Sequence, residues 1–76
     1  MGLMTDEQKD KYYFCKNYLT EVIRFALNDR LSANYYTTDS GEEYVDIVNR
    51  QGQSVKTVCV TADSLMALAR DVLKVL

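Results

Sequence analysis

The chain is 76 residues long, 47% hydrophobic and 26% charged, with six Tyr, two Phe, three Gly, no Pro and a net charge of −2. A chain of this length hides only roughly 60% of the surface its unfolded form exposes, so it is read as one domain, residues 1–76, with a core of about one layer of helix against one layer of sheet. The absence of His removes Ser-His and Cys-His nucleophile pairs, imidazole zinc ligands and a neutral-pH imidazole base. Cys15 and Cys59 form no Cys-x-x-Cys unit, and Gly2, Gly41 and Gly52 are too scattered for a phosphate-cradling loop. No apolar run approaches the roughly 20 residues of a membrane span, and the N-terminus lacks a signal peptide's cationic start and apolar stretch. A cytoplasmic chain with reduced thiols is expected, with no metal, no cofactor and no catalytic residue.

Thr5 followed three positions later by Gln8 is a capping-box pattern, with Asp6 and Glu7 well placed against the helix dipole. A long helix is predicted from about Asp6 to Leu31. At about 100° per residue, Cys15, Leu19, Val22, Ile23, Ala26 and Leu27 share one arc with Tyr12, the expected core stripe. Phe14, Tyr18 and Phe25 form a second group beside it. A helix on one small sheet buries about one stripe, so this aromatic group needs another partner: either the second helix or another copy of the chain, the latter favoured by the short chain. Phe14, Tyr18 and Phe25 are therefore the expected oligomer interface.

From Ser32 the period changes. Ala33–Thr38, Glu43–Asn49 and Ser54–Thr61 read as three strands, joined by Thr38-Asp39-Ser40-Gly41 and Arg50-Gln51-Gly52-Gln53. A two-residue Gln51-Gly52 loop would set Val48 opposite Val55 and Tyr44 opposite Cys59. Val45, Ile47, Val58 and Val60 are taken as the core face; Tyr44, Val48, Val55 and Cys59 form either a second buried face or a contact surface. Without an edge proline, pairing between strands of two copies is open. Thr61 reads as the N-cap of a second helix, with Asp63 in its first turn, Val60 and Leu65 as a hydrophobic staple, and Leu65, Leu68, Ala69, Val72 and Leu76 as its stripe. The apolar Val75-Leu76 end is expected to dock. The fold class is α+β: a long N-terminal helix, a three-stranded antiparallel meander and a C-terminal helix (αβββα), with one helix layer on one sheet.

Charge is uneven along this order. Residues 32–49 carry Asp39, Glu42, Glu43 and Asp46 and no base. The plain reading is a solvated hairpin tip; the functional one is an acidic row that occupies a basic groove on a protein partner. Clustered around a turn, these carboxylates should keep ordinary acidities, which leaves little for acid–base catalysis. Both thiols read as buried and inert. No basic face for nucleic acid is legible. The most ligand-like group is Arg24, Asn28, Arg30, Tyr35 and Tyr36, which would line a cleft for a small anionic ligand, a nucleotide being the natural guess, if the first strand folds back along the helix end. Against this, Tyr35 and Tyr36 should alternate across the sheet, and the arginines serve as helix-end solubilisers.

The last half of the chain, from Glu43-Tyr44-Val45-Asp46-Ile47-Val48 through Val58-Cys59-Val60-Thr61-Ala62-Asp63-Ser64-Leu65 to Asp71-Val72, resembles small phage- or prophage-encoded accessory proteins of Gram-positive gut bacteria. It does so through a strand–cap–helix junction, and the first helix adds nothing to it. The resemblance implies a context: acidic single-domain proteins of the host cytosol, many of which, anti-CRISPR proteins among them, block a host defence factor by occupying a surface or sequestering a signal molecule. The resulting expectation is a non-enzymatic homodimer or higher oligomer that inhibits a host protein by stoichiometric binding, without touching nucleic acid or membrane. A small-ligand binder with its site between subunits, and a purely structural self-associating protein, are the alternatives.

Overall fold

The computed structural model describes residues 4–27 and 30–76. Thr5 caps the first helix as its sequence predicts: its Oγ1 accepts from the Gln8 amide at 3.1 Å, and Gln8 Oε1 accepts from the Thr5 amide at 2.9 Å. The N-terminal helix comprises α1 (Asp6–Phe14), a π-helical turn (Cys15–Leu19) and α2 (Thr20–Ala26). Three strands follow, β1 (Ser32–Thr37), β2 (Glu43–Val48) and β3 (Ser54–Cys59), and then α3 (Leu65–Lys74). The sheet order is β1-β2-β3, antiparallel throughout. This is the expected αβββα arrangement.

The π-turn changes which side chains the helix buries. One extra residue per turn sets everything beyond it back by about 100°. Thr20, which an unbroken α-helix would leave away from Cys15, comes round to the buried side, and its Oγ1 donates to the Cys15 carbonyl at 2.7 Å. The same oxygen accepts from the Ala33 amide at 3.0 Å, fastening the helix to the start of β1. The buried positions are Lys11, Cys15, Leu19, Thr20 and Ile23. Val22 and Ala26, expected in the core stripe, are exposed because the stripe was projected without the inserted residue, and Leu27 is exposed because the α-helix gives out there, at φ −126°. The helix also stops at Ala26 instead of Leu31. Ala33 must reach Thr20, so the chain has to double back, and Arg24 Nε fastens the return by donating to the Leu31 carbonyl at 3.0 Å.

Both hairpins use the same three-residue loop. Thr38 N–H donates to the Glu42 carbonyl and Asn49 N–H to the Gln53 carbonyl, and in each loop the glycine N–H closes back onto the first residue's carbonyl. Gly41 and Gly52 take φ of 86° and 79°, which the third loop position of this turn requires. Asn49 Oδ1 accepts from the Gln51 and Gln53 amides, so the expected two-residue loop gives way to an Asn-nucleated one. Tyr44 does face Cys59, but Val48 faces Ser54 rather than Val55, which is left over as a β-bulge opposite the Ile47–Val48 step.

Ala33, Tyr35, Val45, Ile47 and Val58 line the inner sheet face and pack with Cys15, Leu19 and Ile23 of the N-terminal helix, Val60, and Leu68 and Val72 of α3. The other face, with Tyr36, Tyr44, Asp46, Val48, Thr57 and Cys59, is open to different degrees. The cap of α3 is Ser64, whose Oγ accepts from the Ala67 amide at 3.2 Å. Thr61 cannot serve, because its Oγ1 accepts from the Glu43 amide and Ala62 turns into the left-handed region at φ 64°. The later start dissolves the Val60–Leu65 staple, and Leu65, Val75 and Leu76 remain partly exposed instead of docking.

Candidate functional site

The outer side of the N-terminal helix carries the most exposed large apolar side chain of the described residues, Phe25. Phe25 is 97% exposed, Tyr18 66% and Val22 47%. Val22 stands one helical turn from both Tyr18 and Phe25, and the setback at the π-turn carries it from the core side to theirs, with Phe14 at the N-terminal end of the strip. Phe14 stacks at a tilt on Tyr18, ring centroids 6.2 Å apart, and also packs partly against the core. Of the expected interface residues, Tyr18 and Phe25 thus stand free, while Phe14 is shared with the interior. Val22 joins them, a placement the 100° projection missed.

The acidic segment does not form one surface. Glu43 is 6% exposed and Lys11 3%. Lys11 Nζ donates to Glu43 Oε1 at 2.8 Å, Tyr35 Oη donates to the same oxygen at 2.6 Å, and the Ala62 amide donates to Oε2 at 2.8 Å. Burial alone would raise the Glu43 pKa, but the Lys11, Tyr35 and Ala62 donors outweigh it and hold the carboxyl below its ordinary 4.5. Burial, reinforced by the neighbouring Glu43 charge, pushes the Tyr35 phenol up. Glu43 is therefore withdrawn from partner contact, and it does not keep the ordinary acidity expected of a turn carboxylate. Asp46 lies on the open sheet face, where Oδ1 accepts from Ser54 Oγ and Thr57 Oγ1, both at 2.6 Å. Asp39 and Glu42 are exposed at the β1–β2 turn. Glu42 accepts from Tyr44 Oη, an interaction that raises the Tyr44 pKa to about 12.

The expected ligand group is dispersed. Tyr35 is buried inside, whereas Tyr36 stacks on Tyr44 across the open face, centroids 5.6 Å apart. Alternation across the sheet therefore prevails over a shared tyrosine cleft. Of the group, Arg24 and Tyr35 do line one groove, of about 520 Å³ between the helix and β1, together with Tyr12, Lys16, Thr20 and Glu21. Arg30 lines a different cleft, beside the β2–β3 turn. Asn28 lies outside the described residues.

The two cysteines differ. Cys15 is buried under the helix, and burial pushes its thiol up to about 12. Cys59 is exposed on the open face, contrary to the expectation of a buried thiol; its Sγ lies 3.4 Å from Thr61 Oγ1. The sulfurs belong to opposite sides of the sheet and are not bonded. Among the described residues no His, Cys, Asp and Glu side chains gather into a metal-binding group, and no helix is long and apolar enough to cross a membrane. Just before α3, burial and the neighbouring Asp71 raise the Asp63 pKa, while the hydrogen bond from Asp63 lowers that of Asp71 on the helix.

Charge sorts along the molecule. The Lys11–Glu43 contact places the start of the helix beside the β1–β2 turn, so Asp6, Glu7, Asp10, Asp39 and Glu42 share one end. Arg24 and Gly52 line one groove and Arg30 and Arg50 line one cleft, so these arginines share the other end, with Glu21 beside Arg24 in its groove. No known protein family, curated protein or solved structure matches the chain.

Proposed function

We propose that the chain is a non-enzymatic binding module that pairs with a second copy of itself along the outer strip of the N-terminal helix and acts on a protein partner by stoichiometric contact. The observation that carries this reading is the strip itself, with Phe25 almost wholly exposed in line with Tyr18 and Val22. Tyr18, Val22 and Phe25 present roughly 400 Å² of ring and methyl surface, at the scale where an apolar patch marks a contact site. Two such strips bury roughly 800 Å², and their polar flanks bring the total towards the about 1,200 Å² of the smallest stable interfaces. A two-fold antiparallel pairing also sets the acidic end of each copy against the basic end of the other and opposes the two helix dipoles, which favours a second copy over an unrelated apolar partner. The inhibitor role implied by the family resemblance then falls to the surfaces left outside the pairing, among them the open sheet face that carries Asp46.

Phe25→Glu tests the pairing, since a fully exposed side chain contributes nothing to the core. Sedimentation equilibrium of the unaltered protein should give twice the 8.7 kDa chain mass. Phe25→Glu should give the single-chain mass with an unchanged melting temperature. A single-chain mass for the unaltered protein at about millimolar concentration would overturn the reading.

A further inference from the structure

The open sheet face has a step in it. Tyr36 and Tyr44, opposite one another on β1 and β2, stack with ring centroids 5.6 Å apart. Tyr36 thus covers the β1 side of the Tyr44 ring, and the other side is turned towards β3. There the register sets Cys59 opposite Tyr44 and Thr57 opposite Asp46, both small and both exposed. The Tyr44 hydroxyl donates to Glu42, which holds the ring in place. Asp46 leans over the same strand, because Ser54 Oγ and Thr57 Oγ1 each donate to it at 2.6 Å. Both bonds fall on Oδ1, so Oδ2 is left to accept from outside. Among the described residues, the one base within the three strands is Lys56, whose pairing with Ile47 puts it on the inner side. The step therefore has a flat aromatic wall, a shallow floor and a positioned negative charge with no base on its own face to answer it.

We infer that this step receives an arginine side chain of a protein partner, its guanidinium lying flat on the β3-facing side of Tyr44 and donating to Asp46 Oδ2. Guanidinium is the cation that fits: one planar group stacks on an aromatic face and donates to a carboxylate, whereas an ammonium is compact and strongly hydrated. The inference gives the partner of the proposed function its chemistry; it rests on the chain being a protein-binding module, and not on pairing of the helices.

The test is an amide-shift NMR titration of the full chain with the peptide acetyl-Ser-Gly-Arg-Gly-Ser-amide, run in parallel with its lysine and citrulline counterparts. The arginine peptide should give saturable shifts centred on residues 44, 46, 57 and 59, with at least threefold weaker binding of both counterparts. Asp46→Asn, which removes the charge, and Cys59→Leu, which fills the step, should each weaken it at least fivefold while preserving the dispersed spectrum of the folded chain. Asp10→Asn, an exposed acid on the helix, should leave it unchanged. Phe25→Glu should bind as the unaltered chain does, so a failure of helix pairing and a failure of this site are read separately. Absence of saturable shifts at about 20 mM arginine peptide, equal binding of the lysine or citrulline peptide, or equal binding by Asp46→Asn would each overturn the assignment.

Discussion

Lys11→Met isolates the charge held inside the fold. The substitution keeps an unbranched chain in the buried slot but removes the ammonium 2.8 Å from Glu43 Oε1, leaving a carboxylate that retains only the Tyr35 hydroxyl and the Ala62 amide. Breaking a buried pair from one side costs about 3–5 kcal/mol, because the remaining charge stays desolvated. Set against about 4–11 kcal/mol for the whole domain, by scaling of stability with chain length, this is a large share. With a urea slope of about 1 kcal/mol/M for so small a chain, the unfolding midpoint should fall by about 3 M at pH 7. The pH dependence should change as well. In the unaltered protein Glu43 is held below 4.5, so its contribution is fully present above that pH and is lost as pH falls through the folded-state value. In Lys11→Met burial dominates, the folded-state value rises above 4.5, and the penalty present at pH 7 is relieved as pH falls through it. The gap between the two proteins should therefore narrow from pH 7 towards pH 4, and Lys11→Met/Glu43→Gln should recover part of the loss at pH 7. Urea unfolding by far-UV circular dichroism across this range reads both effects. A Lys11→Met chain within about 0.5 kcal/mol of the unaltered one at pH 7, or parallel pH profiles, would refute the argument.

Two further outcomes follow from the packing. Thr20→Val strips the Ala33 amide and the Cys15 carbonyl of a hydroxyl partner at 3.0 and 2.7 Å, and should lower stability by about 1–3 kcal/mol in urea, while Thr20→Ser retains most of it. A maleimide reagent at pH 8 should modify one thiol per chain quickly, at Cys59, and reach Cys15 only on the timescale of opening of the fold, which peptide mass mapping would show.

What was legible in the sequence was what is periodic or local. The Thr5–Gln8 cap, the two helices, the three strands, the inner sheet face of Val45, Ile47 and Val58, and the alternation of Tyr35 and Tyr36 all follow from neighbours a few residues apart. The losses have one physical character: each depends on a partner far along the chain. Lys11 reads as a solvated helix lysine until Glu43, 32 positions later, is beside it. Thr61 looks like a better cap than Ser64 until its hydroxyl is occupied by the Glu43 amide. The π-turn carries no compositional mark, and a projection that assumes an unbroken helix displaces every side chain beyond it, which is how Val22 was placed in the core. The bulge at Val55 arises from the length of the Asn49 loop, one residue longer than the Gln-Gly pair suggests. At the candidate sites, Tyr18 and Phe25 were visible as surplus apolar surface, whereas the withdrawal of Glu43 into the fold needed Lys11 and Tyr35 beside it.

The two hairpin loops share a backbone but not a charge. Asp39-Ser40-Gly41 and Arg50-Gln51-Gly52 present the same turn at opposite ends of the molecule, one anionic and one cationic. Gly41 and Gly52 supply the positive φ that the turn requires, and the exposed first loop residues, Asp39 and Arg50, give the two copies of this frame opposite charge. The electrical direction of the protein is thus written in a handful of surface positions that cost the fold almost nothing. It can be weakened, cancelled or reversed by substitutions the core never registers, so the orientation in which this chain meets a charged surface is free to change much faster than its architecture.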